Sequence, residues 1–208
     1  MTPDEQAKER ILLIASERFL KEGFVHVSVD ELAADLGMSK KTLYKHFESK
    51  DALFEQFIDR MTGEMHRQIR AITELDYPFI EKIDRFMRLL AETAGRMGKP
   101  LLRDMQRHKP EIWNRVENFR RERIRQNFHA MLTKGVAEGY IRADLNADLI
   151  VLCFLATVES VINPGVLVTH SFSTREAIQG VLRIYFHGIL TEDAGAKLRA
   201  LQNGHTNP

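Results

Sequence analysis

One glycine between two short amphipathic runs constrains this chain more than any other feature. Ser28 to Leu36 and Ser39 to Phe47 read as two helices of about two turns each, separated by Gly37. Ser28 offers an N-cap, and Glu31 stands where a capping box needs it. Leu32, Ala33 and Leu36 supply the inner face. Gly37 stops the first helix because glycine takes the left-handed C-terminal conformation at little cost, and Ser39 starts the second. In that second helix Leu43 and Phe47 point inward at i and i+4, while Lys40, Lys41, Thr42, Tyr44 and Lys45 point outward. Core burial alone does not account for so short a helix. Its outer face carries three lysines, a hydroxyl and a phenol, the groups that bind phosphate oxygens and base edges in a major groove. The pair reads as a helix-turn-helix with double-stranded DNA as its partner.

Charge distribution agrees with a local interface rather than a basic coat. Net charge over the 208 residues is +1, so any affinity for nucleic acid resides in a patch. Residues 38–50 form that patch with a net +3, whereas residues 1–37 carry eight acids against four bases. The single cysteine, Cys153, rules out an intrachain disulfide and suits a reducing compartment. The N-terminus is polar and unlike a signal peptide, and the most apolar run, residues 149–158, is about half of a bilayer span. These features predict a cytoplasmic, bacterial protein.

Apolar residues recur at helical spacing along nearly the whole chain, which predicts an all-α fold. Ile11, Leu12, Ala15 and Phe19 mark an opening helix that ends near Gly23 and completes a three-helix unit over residues 1–50. Ser49 or Glu48 caps a long helix, 49–72, that works as a connecting rod until Tyr77-Pro78 breaks it. Further stripes run from Phe79 to Leu90 and, after a short segment 101–107 and Pro110, through Ile112, Val116, Phe119, Ile124, Phe128, Met131 and Leu132. Asp144 is the predicted cap of a helix over 145–162, with Asn163-Pro164-Gly165 as its stop. Ser173 and Glu176 open a last helix with Ile178, Val181, Leu182, Tyr185, Phe186 and Ile189 inward. Residues 51–193 thus read as one helical domain and 194–208 as a polar, fraying tail.

The residues from Ala15-Ser16-Glu17-Arg18-Phe19 through Gly23-Phe24, Val29 to Gly37, Thr42-Leu43-Tyr44-Lys45-His46-Phe47 and Ser49-Lys50 resemble the tetracycline-repressor (TetR/AcrR) family of bacterial transcription regulators. The resemblance covers roughly the first fifty-five residues. It implies that Lys40, Lys41, Thr42 and Lys45 face the major groove and that Tyr44 and His46 reach backbone phosphates. Ser28 and Lys50 would join them from two helix N-termini, with Ser39 completing the DNA-binding set. For His46 the residue pattern leaves open a cap or a packing role beside Phe47. The resemblance also implies a homodimer built from the last two long helices, with two recognition helices on a palindromic or near-palindromic operator. Leu149, Leu152, Ile178, Leu182, Tyr185, Phe186 and Ile189 are the candidate dimer residues.

Members of that family often bind a small molecule in the C-terminal domain, which here implies a ligand-binding and dimerisation domain following the rod. Phe86, Met87, Leu90, Met105, Trp113, Phe119, Phe128 and Phe154 are candidate lining residues, with ordinary core packing as the alternative. Glu159 stands inside an apolar helix, where it needs a cationic ligand, an arginine such as Arg103 or Arg115, or a surface position. Residues 99–134 hold a net +6, and their i,i+4 Glu–Arg pairs favour a solvated face over a second anion site. No nucleophile elbow, phosphate loop, zinc-protease motif or Cys-x-x-Cys is present, so neither an enzyme nor a cofactor or metal is predicted. The function expected is a dimeric repressor of a nearby operon, released by a small hydrophobic or amphipathic effector. The competing expectation is an architectural or cell-division DNA-binding protein without small-molecule control.

Overall fold

The computed structural model describes residues 2–204, the side chain of Ile124 excepted. The place of Ile124 in the predicted stripe and residues 205–208 of the predicted tail lie outside the described residues. Among the described residues the regular structure is helical: α1 Pro3–Glu22, α2 Val29–Leu36, α3 Lys40–His46, α4 Lys50–Glu74, α5 Phe79–Arg96, α6 Lys99–His108, α7 Pro110–Ala137, α8 Ala147–Val161, α9 Pro164–Thr169, α10 Thr174–Ile189 and α11 Glu192–Gly204. One isolated antiparallel bridge joins Ile141 to Leu190.

The chain divides into two compact units, Met1–Glu64 with Arg96–Val116, and Met65–Gly95 with Glu117–Pro208. The first therefore reaches past the boundary expected at residue 50. Its core explains why: Leu53, Phe54, Phe57 and Ile58 at the start of α4 are buried, and Phe54 meets Phe19 of α1 edge-on at 5.1 Å. Phe24 and Phe57 complete the aromatic cluster, 4.8 and 5.6 Å from Phe54. Burying four such rings supplies several kcal/mol, of order 1.5–3 each, so the first turns of α4 belong to the unit they stabilise. Helix α6 joins it through Leu101, Leu102 and Met105, all essentially inaccessible, and through the Gly98 N–H donated to Leu20 O at 3.2 Å.

The second unit is centred on Phe128, Phe154 and Phe186, with ring centroids of the first pair 4.8 Å apart and of Phe128 and Phe186 5.8 Å apart. Phe79 and Tyr140 stack at 4.8 Å, and Gly135 leaves room beside them: a Cβ there would lie 2.5 Å from Phe79 and 2.4 Å from Ile141.

Three sequence expectations change in this unit. Asn146, not Asp144, caps α8 by accepting from Leu149 N at 2.9 Å, because Arg142 takes both Asp144 oxygens at 3.2 and 2.7 Å. Asn163-Pro164-Gly165 ends α8 and also begins α9, with Asn163 accepting from Gly165 N. The segment expected to fray from residue 194 is helix α11 as far as Gly204, since Ala194 and Leu198, at i and i+4, are fully buried.

Candidate nucleic-acid interface

The local chemistry of the reading helices follows the caps. The Ser28 hydroxyl accepts from Glu31 N at 3.2 Å, and the Glu31 carboxylate accepts from Ser28 N at 3.1 Å. Hydrogen bonds from the Ser28 backbone and then its side chain hold the Glu31 carboxyl below the usual glutamate range. Gly37 adopts φ 65° and ψ 33°, and its N–H reaches the carbonyls of Ala33 and Ala34. Ser39 accepts from Thr42 N at 3.0 Å, and its oxygen lies 2.9 Å from the Thr42 hydroxyl. Helix α3 then buries Leu43 and Phe47 at 0% and 2% exposure and leaves Lys40, Lys41, Tyr44 and Lys45 exposed.

Arg18 of α1 reaches α2 through Asp35 at 2.7 Å and is held by Glu22 of its own helix at 2.6 Å. Arg10 donates to the Leu36 carbonyl at 3.2 Å. Lys40 meets Asp30 at 2.8 Å, but both side chains are more than half exposed, so solvent leaves this pair weak and open to competition from phosphate. Lys41 and Lys45 have no such acid beside them in the described contacts.

Two predicted DNA residues are placed differently from the exposed set. The Lys50 ammonium donates to the Phe24 and Val27 carbonyls, both at 2.9 Å, and lies 4.2 Å over the Phe24 ring. Burial pushes its pKa down, and the side chain holds the α1–α2 loop instead of projecting to a phosphate. His46, its side chain 9% exposed, turns Nδ1 toward Asp4 at 3.3 Å.

The opposite side of the same loop is held by a residue that sequence reading passed over. Asp104 of α6, 2% exposed, accepts from Val25 N at 2.9 Å. Gly23, at φ 85°, keeps clear of it; a Cβ there would lie 2.5 Å from Asp104 Oδ2. The signal was present, for Asp104 falls three residues after Leu101 on the inward face of α6. Lys109 adds an ion pair to Asp51 at 2.6 Å.

The proposed effector residues are divided between the two units. Met105 and Trp113 belong to the first unit, one buried and one half-buried. Phe128 and Phe154 form the centre of the second unit's core, and Leu90 is buried there. Phe119 is half-buried, with the Arg123 guanidinium 5.6 Å from its ring. Glu159 is exposed and paired with Arg121 at 3.2 Å, so its partner is neither arginine named from the sequence. Two residues do line hollows within the second unit. Phe86 lines one of about 320 Å³ among α4, α5 and α7, with Ile72, Phe79, Ala130 and Met131. Met87 lines another of about 300 Å³ among α5, α10 and α11, beside Asp84 and Arg183.

The dimer set also splits. Ile178, Leu182, Phe186 and Ile189 are buried within the chain's own core, because α10 turns its apolar stripe onto the Phe128 cluster. Tyr185 is half-buried, its hydroxyl 2.8 Å from Thr157 Oγ1. Leu149 and Leu152 are 58% and 64% exposed, and Ile184, which sequence reading omitted, is 74% exposed. Gly180 and Gly188, one turn either side of Ile184, border open space, and Cys153 is exposed on α8.

Among the described residues no cluster of three or more His, Cys, Asp or Glu is placed to hold a metal, and no helix is long and apolar enough to cross a membrane.

Residues 11–57 match the model for bacterial regulatory proteins of the tetR family. An uncharacterized HTH-type transcriptional regulator of Bacillus subtilis, YvaF, is 26% identical over 186 residues, covering 89% of this chain and 97% of that one. The HTH-type transcriptional repressor KstR2 of Mycolicibacterium smegmatis is 26% identical over 158 residues, 72% of this chain and 75% of its own. Among solved structures, a putative transcriptional regulator from Saccharomonospora viridis in complex with choline superposes with a TM-score of 0.71 at 18% identity, covering 90% of this chain and all of that one (100%). At that identity the likeness establishes the fold alone.

Proposed function

We propose that this chain, whose residues 11–57 match the tetR-family model, is a helix-turn-helix transcriptional regulator of that family: a cytoplasmic homodimer that represses a nearby operon until a small amphipathic effector binds its helical domain. The observation that carries the DNA-reading part is the outer face of α3: Lys41, Tyr44 and Lys45 exposed on a helix anchored by Leu43 and Phe47. Lys40, Lys41, Thr42 and Lys45 enter the major groove, and Tyr44 and the Ser28 end of α2 meet backbone phosphates. His46 works mainly at the base of α3, against Asp4. Lys50 supports the loop ahead of α2.

Exposed Leu149, Leu152 and Ile184 on α8 and α10 supply the apolar surface for a two-fold contact. Gly180 and Gly188 let a partner helix approach closely. Two-fold pairing presents two copies of α3 to a palindromic or near-palindromic operator. Repression follows from position: a dimer clamped over a promoter blocks polymerase without a further partner.

Chromatin immunoprecipitation with sequencing tests this reading. A few palindromic sites beside one or two operons are expected, with those operons transcribed more strongly when the gene is deleted. Occupancy spread broadly along the chromosome, with no transcriptional change on deletion, would overturn repression in favour of an architectural role.

A further inference from the structure

The hollow among α4, α5 and α7 has a chemical polarity that its apolar walls alone do not reveal. Inside, Phe79, Phe86 and Met131 offer hydrocarbon and aromatic surface. Around the same hollow stand Lys82, Lys134, Asn127 and Glu74. Whether this rim attracts a cation or an anion depends on which charges are already neutralised nearby.

Glu74 is neutralised. Arg70 grips it with two parallel hydrogen bonds, 2.7 Å from Nε and 3.0 Å from Nη2, the bidentate geometry in which guanidinium–carboxylate pairs are strongest. This hydrogen bonding holds the Glu74 carboxyl below the usual glutamate range. Lys82, by contrast, gives one N–H to the uncharged Thr73 carbonyl at 3.1 Å, and among the described residues no carboxylate pairs with its positive charge. Lys134 faces Glu138 across 3.6 Å with its side chain 56% exposed, a loose surface contact of little net value. The rim therefore presents the Lys82 ammonium, and the Lys134 ammonium loosely shared with Glu138, to a ligand, while Glu74 is engaged by Arg70.

We propose that this hollow binds an amphipathic monoanion, with its apolar body against Phe79, Phe86 and Met131 and its carboxylate between Lys82 and Lys134. The assignment rests on the ligand-released reading above and gives the effector its charge. A volume of about 320 Å³ lies at the small end of ligand pockets, roughly 300–1,000 Å³. The apolar body is accordingly a short acyl chain or a single aromatic ring. Lysine suits this role as a mobile point charge, and the Asn127 amide adds an uncharged polar group on the same rim.

Three probes with one tail and different heads test the charge: octanoate, octanol and octylamine, titrated by calorimetry against the intact protein without DNA. Octanoate is expected to bind at least about tenfold more tightly than the other two. The K82Q/K134Q double variant should lose that preference while keeping its affinity for octanol. Both lysines sit at the rim, so the fold is left intact, as an unchanged melting temperature checks. A130L, which fills the hollow from an exposed position, should weaken binding of octanoate. Equal binding of octanoate and octanol, tighter binding of octylamine, or no binding of octanoate up to about 1 mM would each overturn the assignment. Release from the operator is measured separately. Octanoate that binds in a lysine-dependent way but leaves DNA bound would uphold the charge assignment and remove the ligand-release reading.

Discussion

Asp104 on α6 accepts the backbone N–H of Val25 at 2.9 Å, a hydrogen bond between residues 79 positions apart. From a different direction, the Lys50 ammonium draws in the carbonyls of Phe24 and Val27 on the same loop. An anion and a cation thus fix the donor and acceptor sides of one short segment, and that segment delivers the chain into Ser28 and α2. The entry into α2 is held by these two contacts together with the Arg18 grip on Asp35.

Replacing Asp104 with alanine leaves the Val25 N–H without its buried acceptor, a loss worth about 1–3 kcal/mol. D104A is expected to show a lower denaturation midpoint and weaker operator binding, read by urea unfolding and fluorescence anisotropy. G23A should behave similarly, since its Cβ would strike Asp104 while its φ of 85° strains the backbone. Wild-type stability in both variants would show that the clamp does not hold the loop.

Lys45 of α3 and Lys50 at the start of α4 should fail in different ways. K45A removes an exposed charge, so operator affinity falls, the slope of log affinity against log salt becomes shallower by about one, and stability is unchanged. K50M instead strips the donor from two loop carbonyls, and stability falls by about 1–3 kcal/mol with the salt slope retained. A shallower slope for K50M at full stability would return Lys50 to the phosphate-contacting set.

Thr42 tests base reading apart from phosphate binding. T42A is expected to relax preference at one operator position, with discrimination there reduced by about tenfold, as measured by binding to a panel of single-base operator variants. Its hydroxyl also lies 2.9 Å from Ser39 Oγ at the start of α3. A uniform loss of affinity across the panel, without change in preference, would assign Thr42 to the cap instead.

Acid should weaken α2 through Glu31. Its carboxyl is held below the ordinary glutamate value by bonds from the Ser28 backbone and side chain. A depressed folded-state pKa contributes stability that is present above the unfolded-state value and lost as pH falls through the folded one. The stability difference between wild type and E31Q should therefore be largest near neutrality and shrink below the ordinary glutamate range. A difference constant from neutrality to strong acid would exclude the capping carboxylate as its source.

Much of this arrangement was legible in the residues because caps, glycine and apolar spacing act locally. Ser28, Gly37 and Ser39 fix the helix ends by bonds to residues three or four positions away, which a sequence displays directly. What was not legible depends on distant partners. Lys45 and Lys50 look alike in a basic stretch, yet Lys50 meets carbonyls more than twenty residues earlier. Glu159 read as an acid needing an arginine or a surface position and has both, but its arginine is Arg121 rather than either one named from the sequence. For the tail, polar composition outweighed the i,i+4 pair Ala194 and Leu198, which was in the sequence and is buried in the structure.

The same distinction decides where the subunits should join. On α10 the periodic apolar residues Ile178, Leu182 and Phe186 are committed to the subunit's own core, whereas Ile184 is 74% exposed between two glycines that leave open space. I184E should therefore produce a folded monomer at about 10 μM by light scattering, because a carboxylate on each subunit would be forced into the contact. Operator affinity should collapse with it, since one copy of α3 reads only half a palindrome. L182A is the contrasting change: a cavity in the core, costing about 2–5 kcal/mol of stability, with no charge placed in the interface. An I184E protein that remains dimeric and binds the full operator would move the contact off this face of α10.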